Sequence, residues 1–279
     1  MLQLNLCIRK FFITMYKKFW SCIFRLVFGR EWFAKHKEYD KLVWVRHLFE
    51  ILLSGYVRRV GNLAQIKLLN GMIVLLHFGV DMGIVVREIF IDEVYDRFYK
   101  PRDNDIVIDV GAHVGLFSLK VCRSVKRVIA IEPHPFNYKL LLTNLRLNRI
   151  ENVTPMKLAI SNYSGTAKLY LGKESLDHTI KPLSKMSHSS SIDVECDTLD
   201  NCCKTLSKVN FIKIDVEGAE LDVLKGSERI LTDNDLFLAI AAYHYPKEII
   251  EIAKFLQARG MKVFSDGAYI YAFKRKRHK

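Results

Sequence analysis

Three acidic residues in this sequence, Asp109, Glu132 and Asp215, each stand at the end of a short, mainly apolar run. Runs of this kind are typical of strands in a parallel sheet that is covered on both faces. Ligands of such sheets bind beyond the carboxyl ends of the strands. We therefore expect the three carboxylates to face one cleft, where they can accept hydrogen bonds from hydroxyl groups or hold a cationic ligand.

The turn after the first of these strands, residues 109–115, has the sequence DVGAHVG. Gly111 and Gly115 permit a tight turn into a helix, whose N-terminus can hold a carboxylate. A dinucleotide-binding turn would have glycine at position 113, where His113 would crowd a pyrophosphate. Glu132 is placed to bind a ribose diol. This set favours S-adenosylmethionine, which has ammonium, carboxylate and sulfonium groups but no phosphate. A purely structural turn is the alternative.

Two further loops offer groups for proton transfer. Asp215 could orient the ammonium of the donor or the hydroxyl of an acceptor. His244 follows the fifth predicted core strand and is a candidate general base. A structural role is the alternative for a single histidine. His178 and His188 lie in a polar loop, residues 172–190, and are predicted to be solvated; contact with an acceptor is the alternative.

The elements that must position these residues follow from the hydrophobic periodicity of the chain. Continuous apolar strands alternate with helical segments, and helices are predicted at residues 114–123, 135–148, 219–231 and 246–259. Alternating polar and apolar residues predict two antiparallel strands at 166–171 and 191–196, and two short strands flank the turn at 266–267. The order of elements predicts an α/β fold with a mainly parallel sheet.

Charge divides the chain into three parts. Residues 1–60 carry 12 Lys/Arg and 4 Asp/Glu, residues 274–279 carry 5 Lys/Arg and no acid, and residues 61–273 carry 26 of each. These bounds predict a basic helical extension, a neutral central domain and a basic tail. Six scattered cysteines without paired spacing predict reduced thiols in a cytoplasmic protein and no metal site.

Residues 10–27 place cationic side chains on one face of a helix and aromatic side chains on the other. Charges interrupt this segment too often for a membrane span. The pattern fits a helix lying on an anionic membrane, which would make the protein peripheral on the inner membrane surface. Packing of the same face against protein is the alternative. Residues 31–60 are predicted to continue the helical extension.

A set of motifs resembles the FkbM family of methyltransferases over about residues 80–273. In chain order the motifs are IDVGAHVGLFS, AIEPHPFN, NLRLN, AIS, DTLD, FIKIDVEGAE and VLKG. The resemblance implies a Rossmann-like class I methyltransferase fold with a mostly parallel seven-stranded sheet and helices on both faces. It also implies S-adenosylmethionine as cofactor and methyl transfer to a hydroxyl of a sugar, a lipid-linked glycan or a secondary metabolite.

The resemblance also implies roles for individual residues. The residues implied at the cofactor are Asp109, Gly111, His113 and Gly115 at its methionine end, Glu132 at its ribose and Ser161 near its adenine. Asp215 and Glu217 would border the acceptor pocket. Members of the family commonly have an acid two residues before the histidine after strand five, where this chain has Ala242.

Three other functions stay open at this stage. An RNA methyltransferase is favoured by the basic ends but disfavoured by the neutral central domain, and we expect no nucleic-acid partner. A catalytically silent, membrane-associated module would keep the fold without turnover. A nicotinamide oxidoreductase is the third alternative.

Overall fold

The computed structural model describes residues 57–68, 70–77, 80–90, 92–182 and 190–274. The predicted amphipathic helix at residues 10–27, His188 and residues 275–279 lie outside these ranges. None of the helices within the described ranges is long and apolar enough to span a bilayer.

Strands and helices alternate along most of the described chain. In chain order they are β1 (Val57–Val60), β2 (Leu63–Lys67), β3 (Ile73–His77), α1 (Val80–Phe90), β4 (Ile106–Val110), α2 (Leu116–Val121), β5 (Arg127–Ile131), α3 (Pro135–Leu147), β6 (Val153–Met156), β7 (Ala159–Ile160), β8 (Gly165–Leu171), β9 (Ser190–Asp197), α4 (Leu199–Cys202), β10 (Phe211–Ile214), α5 (Glu220–Lys225), α6 (Glu228–Asp233), β11 (Leu236–Ala241), α7 (Glu248–Gln257), β12 (Lys262–Ser265) and β13 (Tyr269–Lys274).

The central sheet has seven strands in the order β12-β13-β11-β10-β4-β5-β6. Strand β13 runs antiparallel to both of its neighbours, and the other six strands are parallel to one another. This arrangement confirms the predicted Rossmann-like, mostly parallel seven-stranded fold. Every residue of β10 and β11 is buried, because both strands lie in the middle of the sheet.

The strand order reverses between β4 and β10. The chain moves outward from β4 to β5 and β6, and later outward on the other side from β10 to β11. Because crossover connections between parallel strands are right-handed, the two directions place their helices on opposite faces of the sheet. The backbone N–H of Asp215 donates to the carbonyl of Val110 at 3.1 Å, so the two strand ends lie side by side. Such a switch point is where a ligand cleft forms.

A second sheet, in the order β7-β9-β8, confirms the predicted antiparallel pair of strands β8 and β9. The predicted helix at residues 219–231 is instead two short helices, α5 and α6. The break lies at Gly226, where an added Cβ would stand 2.1 Å from the carbonyl oxygen of Ser161. Close approach of these two backbones leaves no room for a side chain, so glycine interrupts the helix there.

Strands β1, β2 and β3 form a three-stranded sheet before the main domain. The prediction that helix continues to residue 60 is therefore wrong for residues 57–60. Gly61 has φ +63° and forms the turn between β1 and β2. The edge of β3 is bound by two side-chain amides of α3, since Asn144 and Asn148 each donate to and accept from its backbone at 2.7–2.8 Å. These bonds satisfy an otherwise open strand edge.

Candidate active site

Gly111 and Asp215 meet at the switch point of the sheet. Gly111 has φ +74°, and a Cβ added to it would stand 1.8 Å from the carbonyl oxygen of Asp215. Only glycine allows this contact, because both the left-handed backbone and the missing side chain are needed. The predicted residue Gly111 thus lets the loop after β4 pass directly over the end of β10.

Two cavities adjoin this contact. With the solvent-open space at their mouths included, the first measures about 610 Å³ and the second about 540 Å³. Five residues line both cavities: Gly111, His113, Leu176, Asp215 and Glu217. The structure therefore brings together four of the predicted site residues where the two cavities adjoin.

Glu132 lines the first cavity and is held by main-chain donors. Its two carboxylate oxygens each accept a 2.9 Å hydrogen bond, from the backbone N–H groups of His113 and His134. A carboxylate oxygen has a second lone pair, so each oxygen can still accept a bond from a ligand. Burial raises the pKa of Glu132 to about 7, even though both backbone bonds oppose this. The side chain can accept a pair of hydroxyls, as predicted for a ribose diol.

Asp109 lies below the loop and lines neither cavity. It is 0% exposed, and its carboxylate accepts from the Ser118 hydroxyl at 2.7 Å and pairs with Lys213 at 3.2 Å. Lys213 also donates to the carbonyl of Gly111 at 2.6 Å. The contact of Asp109 with the cofactor therefore stays a prediction. The structure shows the aspartate paired with Lys213, which in turn holds the glycine loop.

Lys213 is the charged residue that sequence reasoning did not assign. It is 4% exposed in an otherwise apolar strand and lines the second cavity. Burial works against its charged form, but Asp109 and then Asp215 outweigh burial and hold the pKa of Lys213 above its ordinary value. A lysine at an inward position of a buried strand is the signal that could have identified it, since buried lysines are almost always paired.

His244 lies among four carboxylates, and its side chain is 2% exposed. Its Nε2 is 3.5 Å from Glu217 and 3.9 Å from Asp215, and its Nδ1 is 3.4 Å from both Glu220 and Glu248. The acid that this chain lacks at position 242 is thus supplied by other elements. Asp215 also accepts a 2.7 Å hydrogen bond from the hydroxyl of Tyr95.

The surroundings of His244 conflict with its predicted role as a general base. Burial alone would lower the pKa of His244, but the carboxylates of Glu220 and Glu248 outweigh burial and raise it to about 11. An imidazolium has no lone pair with which to take a proton from a substrate. Burial and the charge of Asp215 raise the pKa of Glu217 well above its usual range.

Two other predicted cofactor residues have structural roles. Gly115 has φ +89°, lines neither cavity and packs on α3, where an added Cβ would stand 2.4 Å from a side-chain carbon of Leu141. Ser161 is 3% exposed and lines neither cavity. Its chain neighbour Ile160 lines the first cavity in its place, because successive residues of an extended chain point to opposite sides.

The polar loop supplies side chains to the lining of the first cavity. His178 was predicted to be solvated, but it lines the first cavity together with Ser175 and Ile180. Its Nδ1 accepts a 3.2 Å hydrogen bond from the backbone N–H of Gly172. The ring nitrogen of His113 lies 3.0 Å from the hydroxyl of Ser175. Residues 175–180 of this loop contribute to the lining of the cavity, which no periodic pattern in their sequence indicates.

Comparison with known proteins agrees with this geometry. A sequence model of the methyltransferase FkbM domain matches residues 109–263, which is more than half of the chain. The chain belongs to the FkbM methyltransferase family. The family resemblance inferred from the motifs is thereby confirmed, and the FkbM domain contains all of the predicted site residues.

Individual relatives of this FkbM chain are also methyltransferases. Methyltransferase sdnD of Sordaria araneosa is 30% identical, over 53% of this chain and 69% of that protein. Hexuronic acid methyltransferase AglP of Haloferax volcanii is 28% identical, over 54% of this chain and 62% of that protein. The crystal structure of methyltransferase FkbM from Methylobacillus flagellatus is 20% identical with a TM-score of 0.46, over 61% of this chain and 44% of that one.

Proposed function

We propose that this protein transfers the methyl group of S-adenosylmethionine to a hydroxyl oxygen of a small molecule or glycan. The observation that carries the proposal is the shared wall of the two cavities. Glu132 lines the first cavity, which supports this cavity as the donor site, and Asp215 and Glu217 line both cavities. Methyl transfer needs the two reacting atoms about 3–3.5 Å apart and in line, which neighbouring cavities with a common wall permit.

The first cavity fits the chemistry of the donor. Glu132 has acceptor capacity for both ribose hydroxyls, and Ile160, Leu169 and Ile180 offer apolar surface to an adenine ring. His113 has φ +52°, and its ring would crowd a pyrophosphate in the same place. When bound, the cofactor supplies an activated methyl group on a sulfonium. The residues of the chain then hold and align it, and the surrounding carboxylates favour a cation.

The second cavity fits an acceptor with hydroxyl groups. Its wall combines the apolar side chains of Val85, Leu116 and Phe117 with the polar groups of Tyr95 and Asp215. A mixed wall of this kind suits a sugar ring or a secondary metabolite, which has apolar faces and hydroxyl edges. The relative named as a hexuronic acid methyltransferase supports a sugar as acceptor. The carboxylates at the wall disfavour the phosphate backbone of RNA.

Calorimetric titration with S-adenosylmethionine, S-adenosylhomocysteine and NAD tests the donor site. We expect binding of both adenosyl ligands and none of NAD. Glu132→Gln removes a charged acceptor, a change worth about 1.5–3 kcal/mol, so affinity should fall about 10- to 150-fold.

Ser161→Ala is the matched control, because the resemblance implied a cofactor contact for Ser161 and the structure places it off the cavity. Its affinity for S-adenosylmethionine should equal that of the unaltered protein. Equal affinity in Glu132→Gln would contradict the placement of the donor. Folded protein that binds no adenosyl ligand would favour the catalytically silent module instead.

A further inference from the structure

We propose that Asp215, Glu217 and His244 form a binding site for a divalent metal ion, which holds the acceptor oxygen during methyl transfer. The three side chains come from the loops after β10 and β11, and each offers one ligand atom. These atoms, a carboxylate oxygen from each acid and the Nε2 of His244, all lie within 4.8 Å of one another. The imidazolium described above would release its Nε2 proton when the ion binds, because a histidine ligand must be deprotonated at the nitrogen that holds the metal. Metal binding as such does not depend on the methyl-transfer function, whereas the role in catalysis rests on it.

The distances within this cluster suit a shared cation better than hydrogen bonds. Nε2 of His244 lies 3.5 Å from Glu217 Oε2 and 3.9 Å from Asp215 Oδ1, which is beyond hydrogen-bonding range. Two ligands on one ion, each at about 2.1 Å, stand about 3.0–3.4 Å apart. The two distances to Nε2, 3.5 and 3.9 Å, exceed this separation by only a few tenths of an ångström, so small side-chain movements would bring the histidine and each acid to the spacing of shared ligands.

Unpartnered buried atoms point into the same space. The side chain of His244 is 98% buried, and within the described part of the chain neither its Nε2 nor its Nδ1 has a hydrogen-bond partner. The same holds for Oδ1 of Asp215, which faces Nε2. A buried polar atom without a partner costs about 1–3 kcal/mol, so Nε2 and Oδ1 both require a ligand that the described side chains do not supply.

The other nitrogen of His244 has the environment of a metal ligand. Its Nδ1 lies 3.4 Å from Glu220 Oε1 and from Glu248 Oε2. A histidine that binds a metal through one nitrogen usually directs the other toward a carboxylate, which fixes the ring and strengthens the bond to the metal. Glu220 is itself held in place, since it accepts from the backbone N–H groups of Val216 and Gly218.

Charge at the site favours a cation as well. Five carboxylates, those of Asp109, Asp215, Glu217, Glu220 and Glu248, lie around Lys213 and His244. The ammonium of Lys213 pairs with Asp109 and stands 3.9 Å from the far oxygen of Asp215, so it does not balance the remaining acids. The carboxylate oxygens of Asp215 and Glu217 that face His244 lie within 4.8 Å of each other, and a divalent ion would offset the repulsion between these two acids. Ligands of mainly oxygen type suit Mn²⁺ or Mg²⁺.

The position of the ion gives it a role in the reaction. Asp215 and Glu217 line both cavities, so an acceptor hydroxyl in the second cavity can reach an ion held by them. The ion would lower the pKa of that hydroxyl by binding its oxygen. The oxygen then forms a bond to the methyl carbon, the bond from that carbon to the sulfur of the donor breaks with its electron pair going to sulfur, and the hydroxyl proton leaves to water.

Binding of Mn²⁺ to the full-length protein, first stripped with a chelator, tests the proposal. Free Mn²⁺ is counted by electron paramagnetic resonance, which needs no activity. We expect one Mn²⁺ per chain, and at least tenfold weaker binding in Glu217→Gln and in Asp215→Asn. The matched control is Glu88→Gln, because Glu88 lines the second cavity, offers no ligand atom to the cluster and acts on Asp215 only through its charge, so its loss should weaken Mn²⁺ binding much less than the loss of either ligand.

Two further measurements keep the outcomes distinct. Mn²⁺ should raise the unfolding temperature of the unaltered protein and of Glu88→Gln but not that of Glu217→Gln, which also shows that each variant is folded. Calorimetry with S-adenosylmethionine in the presence of chelator reports the donor site separately. Donor binding without any Mn²⁺ or Zn²⁺ binding at millimolar concentration would overturn the metal site alone. Equal Mn²⁺ affinity in all three variants would also overturn it.

Discussion

Glu132 accepts hydrogen bonds from two backbone N–H groups, whereas Glu217 and Glu248 on the other side of the site approach the same histidine at 3.5 and 3.4 Å. Main-chain donors are fixed by the fold of the loop, so the donor end is complete before a ligand binds. At the acidic end Glu220 and Glu248 also accept from backbone N–H groups, but Glu217 faces the Nε2 of His244 at 3.5 Å, and this nitrogen has no hydrogen-bond partner among the described residues. The proposed donor end is thus fixed by main-chain donors, whereas the acidic end keeps unpartnered side-chain atoms that the proposed metal ion would bind.

The largest expected effect follows from removing Lys213, which pairs with Asp109 and holds the glycine loop. In Lys213→Met, Asp109 would be left buried without its counter-charge, so the free energy of unfolding should fall by about 3–5 kcal/mol. Lys168→Met is the control, since Lys168 pairs with Asp193 at a similar 3.3 Å but at the surface and should lose less than about 1 kcal/mol. Denaturant unfolding measures both. Similar losses in the two variants would show that the buried ion pair contributes no more to stability than the exposed one.

The next largest effect follows from the close contact between Gly111 and the carbonyl of Asp215. Gly111→Ala combines a left-handed φ with a Cβ 1.8 Å from the carbonyl oxygen of Asp215, so the free energy of unfolding should fall by about 3 kcal/mol. We also expect this variant to lose binding of S-adenosylmethionine. Gly267→Ala shares the left-handed φ but has no atom within 4 Å, and should cost about 1 kcal/mol. Thermal unfolding measures the stability of both variants, and calorimetry measures their affinity for S-adenosylmethionine. Unaltered donor affinity in Gly111→Ala would show that the loop position is not required.

Tyr95→Phe tests the acidic end. It removes the 2.7 Å hydrogen bond to Asp215, which should cost about 1.5–2 kcal/mol of stability and lower turnover about tenfold, because Asp215 loses its orientation. Tyr99→Phe removes a similar 2.8 Å bond to Asp105, outside both cavities. That variant should lose comparable stability at unchanged turnover. Equal turnover in Tyr95→Phe and Tyr99→Phe would contradict a positioning role for Tyr95.

The smallest effect is a pH dependence at the donor end. With the pKa of Glu132 raised to about 7, the side chain is mostly protonated at pH 6 and mostly ionised at pH 8. The ionised form accepts both ribose hydroxyls, so affinity for S-adenosylmethionine should rise about tenfold across this range. Glu132→Gln should show a flat profile. A rise that persists in Glu132→Gln would assign the titration to another group.

Much of the fold could be predicted from the sequence because its signals are local. The apolar strands β4, β5, β10 and β11, the antiparallel pair β8 and β9, and the positions of Gly111 and Glu132 all follow from neighbouring residues. The strands of the N-terminal sheet were missed. Residues 57–60 were assigned to helix, because a short segment with two arginines lacks the apolar face that would reveal a strand.

The class of fold, the family and the placement of Glu132 at a strand end could all be predicted from the amino-acid sequence. Only the tertiary structure decided that Asp109 pairs with Lys213 and that His244 is surrounded by acids. Lys213 stands directly opposite Asp109 in the register of β10 on β4, a pairing of residues 104 positions apart. Sequence patterns report which face of an element is buried, but not which strands become neighbours. Register and strand order depend on packing of the whole core, and these select the partners of every buried charge.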